Sequence, residues 1–169
     1  MALVIDASVA LTFCFTDEIS DYADAVLARL VSEEAIAPPI WPLEATNGLV
    51  VAHRRGRLPT DDFTRASAML RSLRIRVVSF GLDEVLVSVF PLANDLGLTA
   101  YDASYLHLAL REGAALATLD DRLRAAKSPA NVDAALRLAI DHFSKRSDPL
   151  GLKGHAEFAE ELERRLMNP

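Results

Sequence analysis

The chain is 169 residues long, 51% apolar and carries a net charge of −6 at pH 7, enough for the core of one ordinary domain with room for a small appendage, and too acidic for broad electrostatic attraction to nucleic acid. Its apolar runs are too short to cross a membrane, and its first residues lack the basic start and long apolar stretch of a secretion signal. The single Cys14 excludes an internal disulfide and a cysteine zinc site, so the simplest expectation is a cytoplasmic protein with one buried, inert thiol.

Residues 2–6 are a short apolar run ending in Asp6, the pattern of a buried strand. Ser8 is placed to cap a helix reaching about Cys14. Ser20 opens a second helix, with Tyr22, Ala23, Val26, Leu27 and Leu30 at helical spacing. Ala35-Ile36-Ala37 reads as a short strand closed by Pro38-Pro39. Pro42 suits the first turn of a helix that runs to about Arg55 and stops at Gly56. Thr60-Asp61-Asp62 is placed to cap a fourth helix through about Leu73, and Arg76 to Phe80 reads as a third strand. Asp83 starts a helix that Gly97 closes after Leu96; Thr99 starts another that ends at Glu112-Gly113. Ala115 to Thr118 is the fourth strand, and the chain is helical again from Asp121. Short strands alternating with helices predict an α/β sandwich around a parallel sheet. Beyond Lys127, residues 131–145 and 155–167 read as helices around a turn at 147–151. We expect residues 128–169 to be a helical extension, since about forty residues are too few for a secure core of their own.

Charge is unevenly spread. Residues 1–50 hold eight acids and one base, a net of −7, whereas residues 51–80 hold seven arginines and two aspartates, a net of +5. Four acids, Asp6, Glu44, Asp102 and Asp120, stand where a strand ends or a helix begins. The carboxyl ends of a parallel sheet's strands and the N-termini of its helices face one crevice, so acids distant in sequence are expected to converge there. Each alone could be an ordinary strand-end or helix-start residue; the combination is more specific. Carboxylates crowded together repel unless a cation lies between them, and carboxylate-only ligation suits hard ions such as Mg²⁺ or Mn²⁺. Ser8 and Thr118 are candidates to hold the carboxylates from behind. A metal there, beside Arg54, Arg55 and Arg57, suits chemistry on a phosphate ester; the same arginines could merely solvate helical faces. His53, His107, His142 and His155 show no metal-pairing spacing, Trp41 reads as a core anchor, and Tyr101 and Tyr105, one helical turn apart, read as core. No phosphate-binding glycine loop or serine-nucleophile elbow is present.

The series Val-Ile-Asp6-Ala-Ser8, Glu44 with Asn47, Leu-Thr-Ala-Tyr-Asp102-Ala-Ser and Thr118-Leu-Asp120 resembles the motifs of PIN-domain ribonucleases, above all the VapC toxins of toxin–antitoxin modules. The likeness covers residues 2 to about 127. It implies a three-layer PIN-like sandwich with a short parallel sheet in a nuclease domain of residues 1–127, and a Mg²⁺- or Mn²⁺-dependent endoribonuclease. It further implies that Asp6, Glu44, Asp102 and Asp120 bind the metal, with Asp121 as a possible auxiliary acid that helix capping explains equally well. A homodimer and a cognate antitoxin whose C-terminal segment occupies the cleft are implied as partners. The departure is at the end: such toxins follow the last aspartate with a helix and a final strand, whereas this chain turns to helices. We expect that tail to cover the sheet's open edge or lie near the cleft. Two other classes are weighed: a catalytically inactive PIN-like interaction module, and a phosphotransfer enzyme with an aspartate after its first strand. The second, of haloacid-dehalogenase or receiver type, expects either a second acid where Ser8 stands or a lysine after a late strand, and Lys127 is the only lysine before the tail.

Overall fold

The computed structural model describes residues 2–15, 18 and 20–126. The helices expected at 131–145 and 155–167, and the tail's relation to the sheet edge, lie outside them. In chain order the elements are β1 (Ala2–Ile5), α1 (Ala7–Thr12), α2 (Asp21–Leu30), β2 (Glu34–Ala37), α3 (Trp41–Arg54), α4 (Phe63–Ser72), β3 (Arg76–Val77), α5 (Leu82–Glu84), α6 (Phe90–Leu96), α7 (Ala100–Glu112), β4 (Ala115–Ala117) and α8 (Asp121–Ala126). The strands form one parallel sheet in the order β3-β2-β1-β4, with Leu3 level with Ala35 on one side and Ala115 on the other. Successive strand residues point to opposite faces, yet Leu3, Val4 and Ile5 are all wholly buried. Both faces of β1 are therefore covered by helices, which is the three-layer α/β arrangement. The chain steps outward from β1 to β2 and β3, then returns to β4 on the other side of β1. That reversal makes the carboxyl ends of β1 and β4 the topological switch point, where ligands of open α/β sheets bind.

Several local expectations are corrected. Ser8 does not cap α1; Asp6 does, accepting from the Ser8 backbone N–H at 3.2 Å. The third strand is two residues long rather than five. Its partner β2 ends at Ala37 before Pro38, which has no N–H to continue the ladder, so the bond from Val78 N to the Ala37 carbonyl is the last. Thr60 to Asp62 form a 3₁₀ turn and give α4 no side-chain cap. The helix expected from Asp83 to Leu96 starts at Leu82 and widens into a π turn over Val85–Val89. Pro91 cannot donate to the preceding turn, and its ring would strike the carbonyl four residues back, so the helix opens there. Tyr105 is core as expected, but Tyr101 is 60% exposed. The middle of α7 is buried on every side from Ala103 to Ala109, whereas Tyr101 stands in the helix's first turn, before that cover begins.

Other expectations hold. Cys14 is buried, and burial pushes its thiol up to about 11, so it stays protonated and inert. Trp41 is buried in the main core beside Ile36, Ala45 and Tyr105. Thr99 caps α7, accepting from the Asp102 N–H, and Gly113 ends it in the left-handed conformation. Among the described residues no helix is long and apolar enough to cross a membrane. Glu84 ties α5 to α7 by accepting from Arg111 at 2.6 Å and pairing with the buried His107 at 2.8 Å, a link between residues with no sequence signal in common.

Helix α3 approaches α1 closely because residue 48 is glycine. A Cβ there would lie 2.3 Å from Leu11 Cδ1 and 3.3 Å from its Cγ. Gly48→Ala should be nearly neutral in a thermal melt: about 1 kcal/mol of helix propensity offsets the turning of one leucine end. Gly48→Leu cannot be absorbed in that way and should cost about 1–3 kcal/mol through overpacking. A Gly48→Leu melt equal to wild type would show that α1 and α3 are free to separate.

Candidate active site

Asp6 follows the last residue of β1 and is 9% exposed. Its Oδ2 accepts hydroxyl hydrogen bonds from Ser8 at 2.8 Å and from Thr118 at 2.5 Å, and its Oδ1 accepts the Ser8 N–H. Thr118, fully buried just past β4, also accepts from the Asp120 N–H, and Ser8 Oγ accepts from the Leu119 N–H. The two hydroxyls thus clamp the ends of β1 and β4 together around one carboxylate. Asp120 is brought beside this clamp by Thr118 and caps α8, its Oδ1 accepting from the Leu123 N–H at 2.8 Å.

Glu44 comes from the first turn of α3 and Asp102 from the first turn of α7, where the helix dipoles favour a negative charge. Asp102 Oδ2 accepts the Thr99 hydroxyl at 2.7 Å. Glu44 Oε2 accepts the hydroxyl of Tyr105. Burial raises the Glu44 pKa; the Tyr105 hydrogen bond opposes the rise, and the charges of Asp6 and Asp102 add to it. Three carboxylates from three elements therefore share one electrostatic field. Burial and the neighbouring Glu44 push the Tyr105 phenol far upward, so it remains a hydrogen donor.

Among the described residues the hydrogen-bond partners of the Asp6, Glu44 and Asp102 side chains are hydroxyls and a backbone N–H, with no guanidinium or ammonium among them. Neutral donors orient a carboxylate without cancelling its charge, which is what a cation site requires. The oxygen-only donor set fits a hard divalent ion. Among the described residues no three acids, histidines or cysteines stand close enough to hold an ion as they are. Each of the three is held by a hydroxyl, and among the described residues one oxygen of Glu44 and one of Asp102 accept no hydrogen bond.

The remaining predicted site residues lie elsewhere. Asp121 has a 92% exposed side chain and pairs with Arg124 at 3.1 Å. Arg54 ends α3 and Arg55 follows it, both exposed. Ten residues of helix put Arg54 roughly 15 Å along the axis from Glu44. The Arg57 guanidinium pairs with Glu18 and lies over the Phe15 ring, 4.3 Å from its centroid. Residues that sequence reasoning missed are Tyr105, set among core residues, Thr99, read only as a helix start, and Tyr22, whose hydroxyl accepts the Thr118 N–H at 3.1 Å.

A family model described as PIN domain matches residues 3–128. The chain is 36% identical over 137 residues to Ribonuclease VapC3 of Pyrobaculum aerophilum, covering 78% of this chain and 98% of that protein. Among solved structures, the crystal structure of PAE2754 from the same organism resembles it with a TM-score of 0.56 at 29% identity, over 83% of this chain and 90% of that one.

Proposed function

The chain belongs to the PIN-domain family, and from that premise we propose that it is a metal-dependent endoribonuclease hydrolysing RNA phosphodiester bonds, the toxin of a toxin–antitoxin pair. The observation that carries this reading is the set of three carboxylates, just past the end of β1 and in the first turns of α3 and α7, each held by hydroxyls rather than by a cationic side chain. Asp6, Glu44, Asp102 and Asp120 would hold Mg²⁺ or Mn²⁺. Bound there, the ion would polarise a phosphodiester oxygen and offset the charge that gathers as the P–O bond breaks.

The chain's own residues do the rest. Ser8 and Thr118 fix Asp6 at the mouth of the sheet and keep the ends of β1 and β4 in register. Thr99 holds Asp102, and Asp120 is set by Thr118 and its own capping bond. We assign no proton transfer to Asp121, which faces solvent beside Arg124. Arg54 and Arg55 are proposed to meet phosphates of the strand leaving the cleft; Arg57 joins them only by releasing Glu18 and Phe15. Target choice is expected to rest on unpaired bases and RNA shape. We further propose a cytoplasmic homodimer, silenced by an antitoxin segment in the cleft.

The deciding experiment is incubation of the purified protein with a mixed RNA panel in Mn²⁺, Mg²⁺ or EDTA. Cutting in the metals and none in EDTA is the expected result. A folded protein that neither cuts RNA nor gains melting temperature from Mn²⁺ would instead be the inactive interaction module.

A further inference from the structure

Tyr105 is 1% exposed, and its ring packs in the main core with Trp41, Ala45 and Leu106. A phenylalanine would fill that space as well. The hydroxyl is different: a buried phenol needs an acceptor, and the one it meets is Glu44, 61 residues away in the chain. A half-buried carboxylate in the field of two aspartates is a costly way to satisfy a tyrosine, since a backbone carbonyl would serve without the charge. The pairing is therefore explained from the side of the glutamate. Tyr105 follows Asp102 by three residues and shares its face of α7. One helix thus supplies one candidate ligand directly and anchors another, on α3, through a single hydrogen bond.

We propose that Tyr105 is a positioning residue for the metal site: its hydroxyl holds Glu44 Oε2, fixes the glutamate's rotamer, and leaves the second glutamate oxygen to a bound ion. The inference rests on the metal-dependent reading proposed above. Without the hydroxyl, Glu44 swings among rotamers, and the ordering lost must be recovered when the ion binds.

The test is a Mn²⁺ titration read by quenching of the protein's single tryptophan, Trp41, which shares the first turn of α3 with Glu44. Wild type, Tyr105→Phe, Glu44→Gln and the double variant are compared below their melting temperatures. Tyr105→Phe should raise the half-saturating Mn²⁺ concentration about 10-fold, the scale of a lost supporting partner at a metal ligand. In the Glu44→Gln background the same change should add less than about twofold, because the hydroxyl acts through the glutamate. A Tyr105→Phe midpoint within about twofold of a responsive wild type overturns the inference and leaves the nuclease reading standing. An equal rise in both backgrounds also overturns it, showing a general loosening of the core. No quenching or metal shift in wild type removes the metal reading and the inference together. Should Tyr105→Phe fail to fold, wild type labelled with carbon-13 tyrosine decides: Mg²⁺ should move the Tyr105 Cζ resonance, and a stationary resonance under saturating Mg²⁺ overturns the proposal. Assignment uses Tyr22→Phe and Tyr101→Phe.

Discussion

Asp102→Asn should lower kcat for RNA cleavage by about 10³-fold, which corresponds to about 4 kcal/mol of lost transition-state stabilisation at a metal site, while the melting temperature changes little. The fold is spared for a local reason. An amide oxygen still accepts the Thr99 hydroxyl, and Thr99 still accepts the residue 102 N–H, so the cap of α7 survives. The same exchange at Asp6 is not clean. Asp6 receives two hydroxyls on one oxygen and an N–H on the other, and asparagine offers only one acceptor. At least one buried donor would face the amide N–H₂, so Asp6→Asn should lose stability as well as activity. Asp121→Asn is the matched control: its exposed side chain should leave kcat within about twofold of wild type. Asp102→Asn retaining a tenth or more of wild-type activity would remove that residue from the site.

The parts of this molecule that sequence makes legible are those set by local chemistry. A continuous apolar run marks β1, Pro42 marks the start of α3, Thr99 and Gly113 bracket α7, and the alternation of these units dictates a parallel sheet. The positions of the four acids follow, because strand ends and helix starts face one edge of such a sheet. The missed parts are decided by contacts between distant segments. Nothing near Tyr105 announces that its hydroxyl will meet Glu44 rather than sit among apolar neighbours, and the apparent kinship of Tyr101 and Tyr105 one turn apart concealed opposite environments. The third strand shrank because its length is set by Pro38 on a different strand. Ser8 was legible as a polar residue at a helix start, but the helix already begins at Ala7, and Asp6 caps it by accepting the Ser8 N–H while also receiving the Thr118 hydroxyl from across the sheet. Arg54 and Arg55 are adjacent to the acids in charge pattern alone; a helix holds them at its far end.

Glu44→Gln should melt higher than wild type in EDTA and lower than wild type in Mn²⁺. In the folded protein burial raises the Glu44 pKa, as do the charges of Asp6 and Asp102, and the Tyr105 bond only partly compensates. An acid whose pKa is raised on folding stabilises the fold less once it ionises. The penalty is absent below the ordinary glutamate range, grows as pH rises from the unfolded pKa through the folded one, and is complete above it. Removing the charge at neutral pH should therefore raise the metal-free melting temperature by about 2–4 °C, the equivalent of roughly 1 kcal/mol at this chain length. The low figure reflects a half-buried group whose repulsion is partly screened by solvent. Under acid the advantage should vanish, because wild type then carries the neutral form too. With an ion at a hundred times its dissociation constant, wild type gains about 2.7 kcal/mol, more than the repulsion it carries. The glutamine variant, lacking one ligand, cannot gain as much, and the two melting curves must change order. A merely structural glutamate would give one order under both conditions. The reversal, read in the same buffer with and without Mn²⁺, separates a carboxylate kept for a cation from one kept for the fold.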